Sequence, residues 1–290
     1  MEIKNDRLVF AMDKENKPVA KAKSGDKIIF HTLDCFCENL QKEGQKISEL
    51  DFDRVNPATG PLFVEGAEIG DVLKVKIEKI NIKNTGMALA APGMGVLGEK
   101  IEKEKIRKIH IEEGKVNFLG RKLPLRKMIG VIGTAPDKGA ISTGSPDSHG
   151  GNLDCTMVKE GSEIFLPVNT KGALLSMGDL HATMGDGEIS GAGLEISGSV
   201  KVKIEVIKNF TYKTPMIKAD GKIITLGSSK TMKDASKIAL VNMADLLMKK
   251  MDIDFEDANI LLSLYGDVKV CQLVNPNLTM RVEVNEDIFK

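Results

Sequence analysis

From the N-terminus to about residue 210 the chain alternates apolar and polar side chains between glycine-containing turns, a period of two that predicts half-buried strands. The clearest runs are KIIFHTL (27–33), VLKVKIEKINI (72–82), IHIEEGKVNFLGRKLPL (109–125) and VKVKIEVI (200–207). In the second run Leu73, Val75 and Ile77 share one face while Lys74, Lys76 and Glu78 share the other, so one face meets a core and the other meets water. EIGDVLKVKIEKI (68–80) and EISGSVKVKIEVI (195–207) are alike. An internal duplication and the ordinary likeness of two amphipathic strands after a glycine turn both account for this.

After residue 230 the period changes. DASKIALVNMADLLMKKM (234–251) sets Ile238, Val241, Leu246 and Met248 near a helical stripe, and Asp254 with Asp257 can cap the start of FEDANILLSLY, which Gly266 ends. DVKVCQLV (267–274) and MRVEVN (280–285) return to strand alternation. The expected fold is mainly β: a β-sandwich-like body over residues 1–210 that carries the site, and a small C-terminal α/β piece over 211–290 packed tightly on it.

Composition narrows the function classes. With 41 Lys+Arg against 41 Asp+Glu the chain has no net field to draw it to nucleic acid or anionic lipid, so neither is an expected partner. Aromatic residues are 4% with no Trp, which removes the stacking platforms of single-stranded nucleic acid binding. MEIKNDRLVF lacks the apolar core of a signal peptide, and no apolar run reaches the ~20 residues of a membrane helix. A cytoplasmic protein is expected, with Cys35, Cys37, Cys155 and Cys271 as reduced thiols.

Candidate chemistry concentrates between Gly139 and Ser199. That stretch holds twelve of the 28 glycines and eight acidic residues, but only Lys159 and Lys171 as basic ones. Converging carboxylates repel unless a cation or protons compensate, so the stretch is either a metal site or an acidic surface. Three of the four histidines sit beside carboxylates: His31 with Asp34, His149 with Asp154, His181 with Asp179; His110, in a polar strand, is structural or exposed. In GDLHATMGDGE, Asp179 and His181 are two apart, as are Asp186 and Glu188, so on extended chain each pair points to one side. Imidazole with carboxylate suits zinc; an all-oxygen shell suits calcium or magnesium. Asp179 and Asp186 can equally close glycine turns, Asp34 can cap the next segment, Glu195 can be a solvated strand edge, and Asn152 can hold a turn or stabilise an oxyanion.

SHGGNLD (148–154), FLPVNTKGALLSMGDLHATMGDGE (165–188), HTLDC (31–35) and NPATGPLFVEGAEIGD (56–71) resemble the acetamidase/formamidase family, in its short branch, across nearly the whole chain. The resemblance implies a mostly β fold, hydrolysis of a small amide with release of ammonia, a divalent metal, zinc first and calcium second, and a homodimer or homotetramer. For that chemistry His31, Asp34, Asp154 and His181 are expected to bind the metal. Glu188 is the expected general base, Asp186 and His149 are further catalytic candidates, and Asp179 and Glu195 are alternates. Two rival functions stay open: hydrolysis of another small linear or cyclic carbon–nitrogen bond, and a non-catalytic cation-binding β-sandwich. APGMGVLG (91–98) is read as a flap over the site, and GSSK (227–230) as a turn.

Overall fold

A computed structural model describes residues 1–41, 45–208 and 212–289. Two large sheets face each other. The first has nine strands in the order Glu2–Ile3, Lys27–Thr32, Gly198–Ile207, Val72–Ile82, Glu163–Pro167, Met216–Ala219, Lys222–Ser229, Leu278–Asn285 and Asp267–Gln272. The second has eleven, running from the Lys105–Glu112, Lys115–Phe118 and Arg121–Pro124 arm through Thr85–Ala90, Glu195–Ile196, Leu175–His181 and Met128–Gly133 to Gly150–Asn152. Ala58–Glu65 joins it from the side. The core lies between the sheets: Ile28, Phe30, Val75, Ile77 and Val202 from the first pack in one cluster with Ile129, Ile132, Leu175, Met177 and Leu180 from the second. The mainly-β expectation from period-two alternation therefore describes the fold.

The two look-alike segments are neighbours. Val72–Ile82 and Gly198–Ile207 pair antiparallel over their whole length, with Val200 opposite Ile80 and Ile204 opposite Val75. Their shared pattern of apolar residues on alternate positions is what two adjacent central strands over one core require.

The expected division at residue 210 lies outside the described residues. On either side of it the chain belongs to the same sheet, because Glu163–Pro167 pairs with Met216–Ala219, which pairs in turn with Lys222–Ser229. GSS of the expected turn at 227–230 ends that last strand. Two helices, α1 (Met232–Met251) and α2 (Phe255–Tyr265), cover the outer face of this end of the sheet. Thr231 caps α1 and Asp254 caps α2, each side chain accepting from a backbone N–H three residues on.

Of the expected stripe of α1, Leu246 is buried, Ile238 and Met248 are half-buried and Val241 is exposed, while the innermost row is Ala235, Ala239, Met243 and Leu247, at i, i+4, i+8 and i+12. The alanines in that row reflect close approach. A Cβ on Gly227 would lie 2.2 Å from the Ala235 carbonyl oxygen and 2.8 Å from the Ala239 nitrogen, so helix backbone rests directly on the strand and only small residues fit between. Gly227→Val is expected to lower stability by about 1–3 kcal/mol through overpacking, read as a lower denaturant midpoint at unchanged slope. An unmoved midpoint would show that the helix does not bear on that position.

Candidate active site

Four carboxylates and one imidazole meet where the strands of the second sheet come together beneath its connecting loops. Asp179 and His181 end the strand Leu175–His181, and Glu195 stands directly across from His181 on Glu195–Ile196. Asp154 follows the short strand Gly150–Asn152, and Glu188 is on the loop after His181. His181 Nε2 lies 3.1 Å from Glu195 Oε1, 3.4 Å from Asp179 Oδ1 and 3.9 Å from Asp154 Oδ1. Donor atoms of Asp154, His181 and Glu188 fall within 4.8 Å of one another, as do those of Cys35, Asp179 and Glu195.

The backbone bends to achieve this. Asp154, Asp179 and Glu188 all have left-handed φ, at 40°, 57° and 48°, a conformation that costs a non-glycine residue about 1 kcal/mol or more. Asp179 takes it inside a strand, opposite Gly130, at the position between the paired residues Ile129–Leu180 and Val131–Gly178. Gly130 is required there: a Cβ would lie 2.5 Å from both Asp154 Oδ1 and Asp179 Oδ2. Gly193 does the same for the imidazole, since a Cβ would come within 2.7 Å of His181 Nδ1.

Burial sets the electrostatics. Loss of water pushes Asp154 up to about 6 and Glu195 up to about 7, and holds Glu188 well above the usual carboxylate range, with Asp154 adding to the last effect. Burial alone would push His181 down, but the carboxylates of Glu195 and Asp179 outweigh it and hold it well above its ordinary value. Asp154 Oδ1, Asp179 Oδ1, His181 Nε2, Glu188 Oε2 and Glu195 Oε2 are all buried without a hydrogen-bond partner among the described residues. Native interiors leave few such atoms unsatisfied, and five of them within two adjoining groups, Asp154 with His181 and Glu188, and Cys35 with Asp179 and Glu195, are what a cation would complete. One imidazole nitrogen among carboxylate oxygens, with the Cys35 thiol adjacent, fits a divalent ion.

Several expected residues are elsewhere. His31 lies on the outward face of its strand, where Ile28, Phe30 and Thr32 point inward, and its Nε2 sits 3.0 Å from Glu2 Oε2. Period two alone turns it away from the cluster. Asp34 is a turn cap: Oδ1 accepts from the Phe36 and Glu38 amides and Oδ2 from the Gln41 side chain. Asp186 is held by Arg281, which donates to both its oxygens at 3.0 and 2.7 Å, and by Thr156. His149 is fully buried with both ring nitrogens unpartnered, and burial pushes it down to about 4. His110 is exposed, 3.0 Å from the Thr85 hydroxyl. Asp154, His181 and Glu188 are together with the alternates Asp179 and Glu195. The segment 91–98 lies against the loop after Glu188, with the Val96 amide donating to Ile189, and Met94 reaches the site.

Sequence reasoning passed over three contributors. Cys35, not His31 or Asp34, is the part of HTLDC that reaches the cluster. Gly130 had a visible signal, an isolated glycine in an apolar strand, which marks close approach. Asn275, which donates to Asp154 Oδ2 at 2.7 Å and to the Asn152 carbonyl at 3.0 Å, had none beyond its place in a turn.

A mainly-β sandwich with a buried imidazole–carboxylate centre able to hold a cation is the class that fold and site define. The chain belongs to the Acetamidase/Formamidase family, whose model matches residues 12–144 and 137–290. It is similar to an acetamidase of Bacillus halodurans of known structure, at 44% identity and a TM-score of 0.97, covering 100% of this chain and 98% of that one. It is also similar to a putative formamidase of Schizosaccharomyces pombe, 29% identical over 59% of this chain and 58% of that protein. A formamidase of Methylophilus methylotrophus is 26% identical over 67% of this chain and 63% of that protein. The chain thus spans about three fifths of the length of these two curated relatives. Among the described residues no helix is long and apolar enough to cross a membrane.

The protonation pattern predicts how the chelated protein responds to pH. Asp154, Glu188, Glu195 and His181 all sit above their ordinary values, so the folded chain holds more protons than the unfolded one and stability falls as pH rises through each window. His149 acts oppositely, but only between about 4 and its ordinary 6.5. Above pH 6.5 the fall is unopposed within the site. The melting temperature of chelated protein should therefore drop by several °C from pH 6.5 to 8, at about 2–4 °C per kcal/mol in large domains, and added divalent ion should flatten the slope. A flat profile in chelator would mean that the carboxylates do not hold protons in the fold.

Proposed function

We propose that the chain hydrolyses a small aliphatic amide, of the formamide or acetamide kind, to the carboxylate and ammonia, with a divalent ion at the buried centre. The five unpartnered, buried donor atoms of Asp154, Asp179, His181, Glu188 and Glu195 carry this reading. Asp154, Asp179, His181 and Glu195 would hold the ion. Zinc is favoured by the imidazole and the neighbouring thiol, and calcium is the alternative by the carboxylates. When bound, such an ion acidifies a water to make a nucleophile at neutral pH and polarises a carbonyl oxygen.

The chain's own residues do the rest. Glu188 stands beside the cluster, where its carboxylate can take a proton from the attacking water and then pass it to the departing ammonia. Its loop is fixed by the Gly187 amide donating to Cys271 and the Leu273 amide donating back to Gly187. Asn275 orients Asp154. The adjoining pocket is small, about 80 Å³, where one water needs ~10–15 Å³, so it takes a molecule of a few heavy atoms. Phe36, Val55 and Met94 line it and keep bulk water out. Assembly as a homodimer or homotetramer and a cytoplasmic location belong to the same reading.

The test is ammonia release from formamide and acetamide by protein stripped of metal and refilled with zinc, manganese or calcium. Turnover should return with the ion, fall by about 10²–10⁴-fold in Glu188→Gln with the ion retained, and vanish together with ion retention in His181→Ala. Full ion occupancy with no ammonia released would leave the centre as a structural cation site and end the catalytic reading.

A further inference from the structure

The 80 Å³ pocket beside the cluster is lined by apolar side chains, Phe36, Phe52, Val55 and Met94, and by polar ones that include Asn152 and Asn275. The carboxylates in its lining belong to the proposed ion centre, and Asn275 is committed to Asp154 and to the Asn152 carbonyl. Asn152 is different. The residue is only 3% exposed, it carries no charge, and its Oδ1 has no hydrogen-bond partner among the described residues. Its backbone is held on both sides, paired with Val131 in the sheet and accepting from Asn275, so the side chain is not needed to close its own turn. A fixed, neutral acceptor in a small pocket asks for a ligand that donates.

We propose that Asn152 is the residue that selects an amide over an ester or an acid, its Oδ1 accepting an N–H of the substrate's –CONH₂ group. This rests on the amidase reading and deepens it. The apolar side chains of the lining suit the acyl substituent and the polar ones the –CONH₂ group. An ester of the same acyl group brings no N–H, so Oδ1 would be left buried and unsatisfied, the situation that gives hydrogen-bonding sites their strong discrimination. The carboxylate product likewise has nothing to donate and meets a lone pair in place of a partner.

The experiment compares kcat/KM for acetamide and methyl acetate in the ion-loaded wild type, Asn152→Ala and Asn152→Leu, the last filling the space without a polar atom. The expected result is a loss of about tenfold or more on acetamide with the ester rate within a few-fold of wild type, so that the amide-to-ester ratio collapses in both variants. Equal losses on both substrates would overturn the proposal, because a residue acting on the carbonyl oxygen or on the fold would not distinguish them. A wild type that cleaves neither substrate would remove the amidase reading alone. Binding of the same two ligands then decides: acetamide weakened in Asn152→Leu with methyl acetate unchanged supports Asn152, and unchanged acetamide binding overturns it.

Discussion

Asp154, Asp179, Glu188 and Glu195 share with His181 a volume from which water is almost wholly excluded. Like charges about 4 Å apart repel by about 4 kcal/mol even at an effective dielectric near 20, so four ionised carboxylates and one imidazolium cannot persist there unaided. Protons or a cation must enter. The raised Asp154, Glu195 and Glu188 and the retained proton on His181 are the protein's answer when only protons are available. Much of the surrounding architecture follows from holding these groups against their own repulsion. Three of the four carboxylates stand on left-handed backbone, and Gly130 and Gly193 give up side chains to make room.

Such strain persists only where neighbours over-determine it, and here they come from the C-terminal end of the chain. The loop that presents Glu188 is pinned by the parallel bridge between Gly187 and Gln272 and by the two-pronged contact of Arg281 with Asp186. Arg281 is itself buried, donating as well to the Val270 carbonyl and to Glu283, whose carboxyl is pulled down to about 2 by Lys222, Lys269 and Arg281 against its own burial. Asn275 adds a hydrogen bond to Asp154. The C-terminal strands are therefore part of the site's frame. They continue the nine-stranded sheet, and their edge is pressed against the loops of the other sheet at the place where the carboxylates converge.

The sheets were legible in the sequence because burial on one face writes itself as alternation: Lys27–Thr32, Val72–Ile82 and Gly198–Ile207 all lie where period two put them. Helix α2 was legible from its cap and α1 from the change of period, while the buried face of α1 was legible only in part, at Leu246, because the alanines Ala235 and Ala239 are set by closeness to Gly227 and not by hydrophobicity. In the site, pairing of His with nearby Asp or Glu located Asp154, His181 and Glu188 but also pointed to His31, which the alternation of its own strand turns outward, and to Asp34, a residue type equally at home capping a turn. Asp186 shows the remaining gap. Its partner Arg281 is 95 residues away, and no local pattern states that a carboxylate two positions from Glu188 will be spent on a distant guanidinium.

Under the amidase reading one charge distribution serves both halves of the reaction. A neutral amide enters without opposing field, and its N–H groups find acceptors among the polar residues that line the pocket. Hydrolysis turns that same molecule into an anion beside at least three carboxylates, with the donor groups lost to ammonia. The cation attracts the product, the carboxylates repel it, and the balance depends on how many of them carry protons at that moment. Glu188 matters here as well, because giving up its proton to ammonia adds a negative charge next to the newly formed carboxylate just when that product has to leave. A centre that draws in a cation is thereby kept from holding too tightly the anion it makes.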